Sequence, residues 1–397
     1  MKVLYITPFV PYEDIPHAGG YFLYKYLIEL QKRGISIHML APNSKENEEA
    51  LKKVPEWINL RLSAIPNKTI TYKVLKLFKL IKDPLNQLDH TIVNELQTEG
   101  YLDQFDLIDL QYSPTLPLIN VIKQMTNVPI ICLEHDVYSQ YVKRTVQEKG
   151  ASKRKIIAIL GSLRVGKKER EYLNLCNQVY TFSEKDKRIL IEMGVISPID
   201  TFSPALELPR DAATVKENID CLFVGAMDRP ENYEGVRWFI TEIWDKIRNE
   251  IPNAKFIVAG SKPPEWLKVM NRDDIEVTGF VEDLDVYYKK AAVFIAPLLS
   301  GAGVKFKIVQ ALAYGLPVVT TEVGAEGINE NNEEFFAKVT AEPDEIASEV
   351  IHLLKNANYR ESIGIKARKL ALDKYDFHEK TINKAFKKYN QLTGKQY

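Results

Sequence analysis

Short β-rich runs alternate along the chain with stretches of helical period. In the first half "KVLYITP" precedes apolar positions at helical spacing from about Tyr21 to Arg33, then "ISIHMLAP", helical stretches through Leu96, "FDLIDLQYS", a further helix and "VPIICLEHD". Gly34 supplies a helix stop after "LIELQKR". Strands alternating with helices in this way predict right-handed crossovers, hence an α/β fold built on a doubly wound parallel sheet. The rhythm restarts after the polar linker "ELPRDAATVKENID", with "CLFVGAM", a helix near Gly235 to Asn249, "AKFIVAG", "IEVTGFV", "AVFIAPL", a helix from Lys305 to Tyr314 and "LPVVTTE". Two lobes are therefore predicted, 1–205 and 216–375, each with its own core. The last pattern, "FHEKTINKAFKKYNQL" within 376–397, reads as an amphipathic helix that packs back on the first lobe. No short repeat of the solenoid kind is present.

Composition narrows the class. The chain has 397 residues, 45% of them hydrophobic, enough to fill two cores. Lysine plus arginine and aspartate plus glutamate both total 53, so global charge favours no polyanionic partner and local charge decides. Cys132, Cys176 and Cys221 lie far apart in apolar patterns without CxxC spacing, which reads as buried thiols in a reducing compartment. The opening "MKVLYITPFVPYEDIPHAGG" has a short apolar run followed by acidic residues, and is read as a first strand rather than a signal peptide. No stretch approaches the roughly 18 to 20 apolar residues of a membrane span, so the chain is expected in the cytoplasm.

Open parallel sheets bind ligands beyond the carboxyl ends of their strands, and with two lobes the expected site is a cleft between them. That directs attention to the loops Pro8 to Gly20, His135 to Tyr138, Gly225 to Asn232, Phe280 to Asp285 and Leu298 to Lys307. In "GAGVKFKIVQALAYGLPVVTTEVGAEG", Gly301 and Gly303 let backbone approach a ligand, and the N–H groups at the following helix start offer donors to an anion. Val304, Ile308, Ala311 and Leu312 fall at core spacing, leaving Lys305 and Lys307 for the mouth or solvent. Solvated lysines at a helix end are the competing reading. Gln310 lies one turn beyond Lys307, able to reach a sugar hydroxyl or the lysine, or to stand as an ordinary half-exposed amide.

"HAGGYFLYKYLIEL" repeats the device, with Gly19 and Gly20 ahead of a helix. His135 in "ICLEHDVYSQY" ends a strand, where an imidazole either bonds a hydroxyl, carries a proton or serves structure alone. Asp283 and Asp285 open a helical run and read as caps rather than metal ligands; the six histidines show no HxxxH pair. From Lys143 to Arg170 ten basic residues face two glutamates, interleaved with Ile156, Ile157, Ile159, Leu160 and Leu163. Two readings fit that tract: a core-packed helix with a solvated basic face, or a helix lying on an anionic membrane surface. No nucleic-acid motif accompanies the charge, so no nucleic-acid partner is expected.

Taken together, the motifs resemble retaining glycosyltransferases of the GT-B fold, specifically glycosyltransferase family 4. "GAGVKFKIVQALAYGLPVVTTEVGAEGI" is similar to that family's donor-binding signature in its "GxGxRxKxxEAxAxGxPVVxTxxGxEG" variant. "HAGGYFLYKYLIELQKRG", "EHD", "FVGAMDRPENYEGVRWF" and "GFVEDLDVYYKKAAVFIAPL" fall in the corresponding order, so the resemblance covers nearly the whole chain. It implies two Rossmann-like lobes, the first binding acceptor and the second a nucleotide sugar, with no metal and no cofactor required. By the same resemblance Lys305 matches a basic position beside the donor diphosphate and Lys307 its companion; Gly303 and Val304 give backbone donors. Gly20 would close on the phosphates, His135 would contact the transferred sugar near its reacting carbon, and Phe280 and Val281 would flank the base. The sequence departs from the pattern at Ala302 and Gln310, where the family commonly has a pair of glutamates, and at Ala226, where a basic residue is common and Arg229 stands nearby.

The implied activity is sugar transfer from a nucleoside diphosphate sugar to an acceptor hydroxyl with retention, on a glycan or lipid-linked acceptor, in cell-surface polysaccharide or lipid-linked glycan synthesis. The basic tract fits a peripheral position on the inner face of the cell membrane. Two alternatives stand beside it: a catalytically silent glycosyltransferase-like binding subunit, kept open by Gln310, Ala302 and Ala226, and a nucleotide-sugar epimerase on the same fold.

Overall fold

The computed structural model describes residues 1–65, 69, 76–80, 82–88, 90–147, 153–205, 219–301, 303–328 and 335–395, without the side chains of 147, 153–158, 160 and 163. Most of the linker at 206–218, the centre of the basic tract at 148–152, and Ala302 lie outside the described residues. The chain divides into two compact units, Met1–Ala205 with Phe377–Tyr397, and Leu206–Asp376.

Among the described residues the first unit holds seven strands: β1 (Lys2–Ile6), β2 (Ser36–Ala41), β3 (Ile58–Leu62), β4 (Leu107–Gln111), β5 (Ile130–Leu133), β6 (Gln178–Thr181) and β7 (Ile199–Thr201). They form one parallel sheet in the order β3-β2-β1-β4-β5-β6-β7. Successive side chains on a strand face opposite ways, and the two faces are filled differently. Leu4, Ile6, Ile108, Leu110, Ile130 and Cys132 join one apolar core. Tyr5 and Asp109, on the alternate positions, instead meet Tyr389 of the Lys384–Thr393 helix, which thus belongs to this unit. Gly34 takes a left-handed φ of 81° after the Ala18–Lys32 helix, and its N–H bonds the carbonyl of Gln31, closing the helix as the sequence pattern predicts.

The second unit has six described strands: β8 (Cys221–Val224), β9 (Phe256–Ala259), β10 (Ile275–Gly279), β11 (Val293–Ala296), β12 (Val318–Thr320) and β13 (Lys338–Val339), parallel in the order β10-β9-β8-β11-β12-β13. Both faces are apolar, as a sheet covered on two sides requires. Phe223, Phe256, Val258 and Ile295 pack with Phe239, Trp244 and Val350 on one side. Leu222, Ile257, Phe294 and Ala296 pack with Ile308, Leu312, Ala367 and Ala371 on the other. The expected doubly wound α/β architecture is therefore present in each unit. The strand order reverses direction between β8 and β11 here and between β1 and β4 in the first unit, so the loops after those strands are the natural ligand positions. Among the described residues no helix is long and apolar enough to cross a membrane.

Candidate active site

In the second unit the loops after β8 and β11 bring the basic residues together. Gly301 and Gly303 have φ of 123° and 71°, a backbone region that suits glycine, and the turn they make ends at Lys305, the N-cap of the Phe306–Ala313 helix. The Lys305 ammonium folds back to donate to the Gly303 carbonyl at 2.5 Å and stands 4.0 Å from the Glu326 carboxylate; its side chain is 10% exposed. Lys307 donates to Asn232 Oδ1 at 2.5 Å, with its ammonium 4.4 Å from the centre of the Phe223 ring. Desolvation pulls its pKa down to about 7; Glu231 opposes the shift, while the charges of Lys305 and Arg229 add to it. Of the two readings of the lysines, the solvated one does not hold: Phe223 and Asn232 enclose Lys307, and the turn and Glu326 hold Lys305.

Bare backbone makes room for this cluster. A Cβ on Gly225 would lie 2.8 Å from the Lys307 ammonium and 2.9 Å from Asn232, and one on Gly260 would lie 1.8 Å from the Gly225 carbonyl oxygen. Asn232 also donates to the Ala226 carbonyl at 2.7 Å, tying the loop after β8 to Lys307. Arg229 is exposed at the N-cap of the Pro230–Phe239 helix. Val304 is partly buried against the apolar core beneath.

The Gln310 side chain lies beside the Tyr314 hydroxyl, which donates its proton to Asp285. Burial and Asp285 push the Tyr314 pKa up, and Gln310 opposes the shift, as an amide N–H near the phenol oxygen would. Phe280, 70% exposed, and half-buried Val281 follow β10 at the edge of the sheet. Asp283 accepts the Asp285 N–H at 2.8 Å in a turn ahead of the Asp285–Lys290 helix, whose N-cap position is Leu284, so the cap expected of Asp283 is not the one formed. Among the described residues no group of three or more His, Cys, Asp or Glu side chains is placed to hold a metal ion.

In the first unit His135, just past β5, is fixed from several directions. Tyr112 stacks on the imidazole at 3.6 Å and 12°, Phe22 and Phe182 meet it edge-on, and its Nε2 lies 3.3 Å from Gln111 Oε1. Burial, with a smaller contribution from His17, depresses the imidazole pKa to about 3, so the ring is neutral near pH 7. Tyr112 holds a φ of 70°, a strained value for a residue with a Cβ, and it does so while stacked on the imidazole. Gly19 belongs to the first helical turn and faces this ring: a Cβ there would lie 2.4 Å from the Tyr112 hydroxyl and 3.0 Å from His135 Nδ1. The Ala18–Lys32 helix starts three residues before the predicted Tyr21 because His17 is its cap. The Gly20 N–H already donates to His17 Nδ1 at 3.0 Å, so the phosphate donor expected of Gly20 is occupied by its own cap.

Residues 218–356 match the family model described as Glycosyl transferases group 1. The whole chain superposes on solved structures: sucrose-phosphate synthase from Thermosynechococcus elongatus, TM-score 0.72 at 17% identity over 99% of both chains, and HepE from Anabaena in complex with UDP-glucose, TM-score 0.63 at 15% identity over 98% and 99%. The chain has the GT-B fold. In sequence it is 29% identical over 181 residues to an uncharacterized 44.6 kDa protein in the cps region of Klebsiella pneumoniae; that match spans 43% of this chain and less than half, 46%, of that relative.

Within the GT-B fold the candidates sort by unit. Gly303, Lys305, Lys307 and Arg229 gather at the β8 and β11 loops of the second, whereas Gln310, Phe280 and Val281 lie toward the Asp285 side of the Phe306–Ala313 helix. His135 and Gly20 stand in the first. Glu231 and Asn232, in the candidate loop Gly225 to Asn232, and Glu326, outside every candidate loop, surround the lysines, and Asp109, Gln111 and Tyr112, which no motif marks, surround the histidine. Asp109 and Gln111 did leave a signal, as two polar residues on alternate positions of a strand buried at every position.

Proposed function

We propose that the protein is a retaining glycosyltransferase that moves a sugar from a nucleoside diphosphate sugar to an acceptor hydroxyl. The observation that carries this reading is the convergence of Lys305, Lys307 and Arg229 on a glycine turn at a helix start, inside the stretch matched by the family model. Three close cations with partial neutralisation by Glu231 suit a ligand bearing two phosphates. In the reaction the bond from the anomeric carbon to the diphosphate oxygen breaks and a bond from the same carbon to the acceptor oxygen forms on the same face. Negative charge grows on the leaving diphosphate, where Lys305 and backbone N–H groups stabilise it, and the acceptor proton passes to a phosphate oxygen. These cations supply the counter-charge, so the proposal includes no metal or other cofactor. His135 contacts the transferred sugar as a neutral ring, and Phe280 with Val281 flanks the base.

A UDP-sugar donor and a glycan or lipid-linked acceptor of the cell surface are the proposed substrates, supported by the UDP-glucose bound to HepE and by the cps-region location of the Klebsiella relative. We place the protein at the cytoplasmic face of the membrane, held by the basic tract 143–170, of which the described Ile159 and Arg164 are exposed. A thermal-shift panel of nucleotide sugars followed by transfer and hydrolysis assays in EDTA tests the reading; no stabilisation by any nucleotide sugar overturns it. Binding without turnover would favour a silent subunit, a reading supported by the engagement of Gln310 with Tyr314. Binding to vesicles that contain anionic lipid no stronger than to neutral ones overturns the membrane placement.

A further inference from the structure

His135 is at one end of a buried chain of hydrogen bonds whose direction can be read from the donors and acceptors alone. At the other end, Tyr389 donates to Asp109 Oδ2 at 2.7 Å, while its hydroxyl oxygen also lies 2.9 Å from that of Tyr26 and 3.2 Å from that of Tyr5. The second oxygen of Asp109 accepts from Gln111 Nε2 at 2.7 Å. Asp109 is 1% exposed and Gln111 fully buried, so no water competes for these groups. A carboxylate oxygen facing an amide can only accept, and this holds even for the protonated acid when its proton sits on Oδ2 beside Tyr389. The NH2 of Gln111 is therefore turned to Asp109 and its carbonyl oxygen to the imidazole. An oxygen at that place needs a donor, which puts the imidazole proton on Nε2 and leaves the lone pair on Nδ1.

We propose that Asp109 and Gln111 are positioning residues that lock His135 as the Nε2–H tautomer, so that Nδ1, on the side of the bare Gly19 backbone, accepts a hydrogen bond from a ligand hydroxyl. The assignment of that hydroxyl to the transferred sugar rests on the glycosyltransferase reading; the tautomer does not. Tyr112 stacks on the face of the ring and fixes its plane, while Gln111 fixes which nitrogen carries the proton.

The test reads the tautomer directly. Full-length protein labelled with 15N-histidine is compared by NMR with His135→Asn to assign the ring, then with Asp109→Leu and Asp109→Asn. In the wild type the protonated nitrogen of His135 is expected to be Nε2. Asp109→Leu frees the Gln111 amide to flip and moves the proton toward Nδ1; Asp109→Asn, whose carbonyl still accepts from Gln111, keeps it on Nε2. If Asp109→Leu does not fold, Gln111→Leu removes the acceptor itself and is expected to give a mixture of tautomers. With a nucleotide sugar that is turned over, the leucine variants lower kcat about tenfold or more while KM for the donor changes less than threefold, and Asp109→Asn retains most of kcat. A wild-type ring protonated on Nδ1, or a folded leucine variant with an unchanged tautomer, overturns the proposal. Absence of turnover with the expected tautomers would sink the enzyme reading and leave the network assignment standing.

Discussion

In the second unit burial, with the charges of Lys305 and Arg229 adding to it and Glu231 opposing, makes the charge of Lys307 costly, whereas in the first unit His135 is neutral and each hydrogen bond from Tyr389 to the imidazole is made within the unit. One polar cluster gathers like charges; the other is a run of matched donors and acceptors that ends at the imidazole Nε2. The difference teaches where to look for binding energy and where for geometry. A cluster of like charges gains most when a counter-ion arrives, while a satisfied network gains little and instead fixes orientation.

The largest expected effect breaks the charged side of that comparison. Lys305→Ala should lower turnover by about a hundredfold to a thousandfold, the usual size for removing a group that stabilises developing charge, with the melting temperature within a few degrees of wild type. Steady-state kinetics beside calorimetry checks both; equal loss of stability and activity would assign Lys305 a structural role. Next in size is proton uptake at Lys307. Its pKa near 7 means that above this pH the free protein carries a neutral amine, while a bound diphosphate favours the ammonium. Affinity for a nucleotide sugar should therefore fall, at most about tenfold per pH unit, as pH rises above about 7, and titration calorimetry in buffers of different ionisation enthalpy should show proton uptake that Lys307→Met abolishes. The same depressed pKa has the unfolded chain binding the extra proton, so this group makes the unliganded protein gain stability between about pH 7 and its ordinary value of 10.5.

On the neutral side the sign is opposite. Asp109 is raised from 3.8 to about 7, mainly by burial, against the hydrogen bonds from Tyr389 and Gln111. The native state then holds a proton that the unfolded chain releases above about pH 4, and stability should fall between about pH 4 and 7 by a few kcal/mol. Asp109→Asn should flatten that fall in urea unfolding measured across the range. Smallest is Gln310→Glu: a carboxylate replaces the amide beside Tyr314 and approaches Asp285, for about 1 kcal/mol, visible as a shift in urea midpoint with unchanged slope.

The second unit was the more legible in sequence. Its strands are continuous apolar runs such as "CLFVGAM" and "AVFIAPL", buried on both faces, and the glycine turn before Lys305 announces itself by composition. Two edge strands escaped while β10, "IEVTG", did not: β3, "INLRL", alternates with exposed residues, and β13 has two residues, so neither makes an apolar run. At the candidate site, the sequence singled out Lys305, Lys307 and His135 but left their surroundings open. Whether a lysine is solvated depends on a phenylalanine and an asparagine some 80 positions earlier, Phe223 and Asn232, and local periodicity carries no record of such partners. Likewise Gly20 looked available because the cap on its N–H comes from a histidine side chain, His17, outside the common set of capping residues.

The first unit is assembled from two stretches of chain, 1–205 and 377–397, and on the ribosome the second stretch is made only after the whole of residues 206–376. Until then β4 carries an acid, Asp109, in a face that has no Tyr389 to meet it, and the apolar side of the Lys384–Thr393 helix is missing from its seat. The seat of that helix on the sheet is thus filled last, after the whole of the other unit has been synthesised.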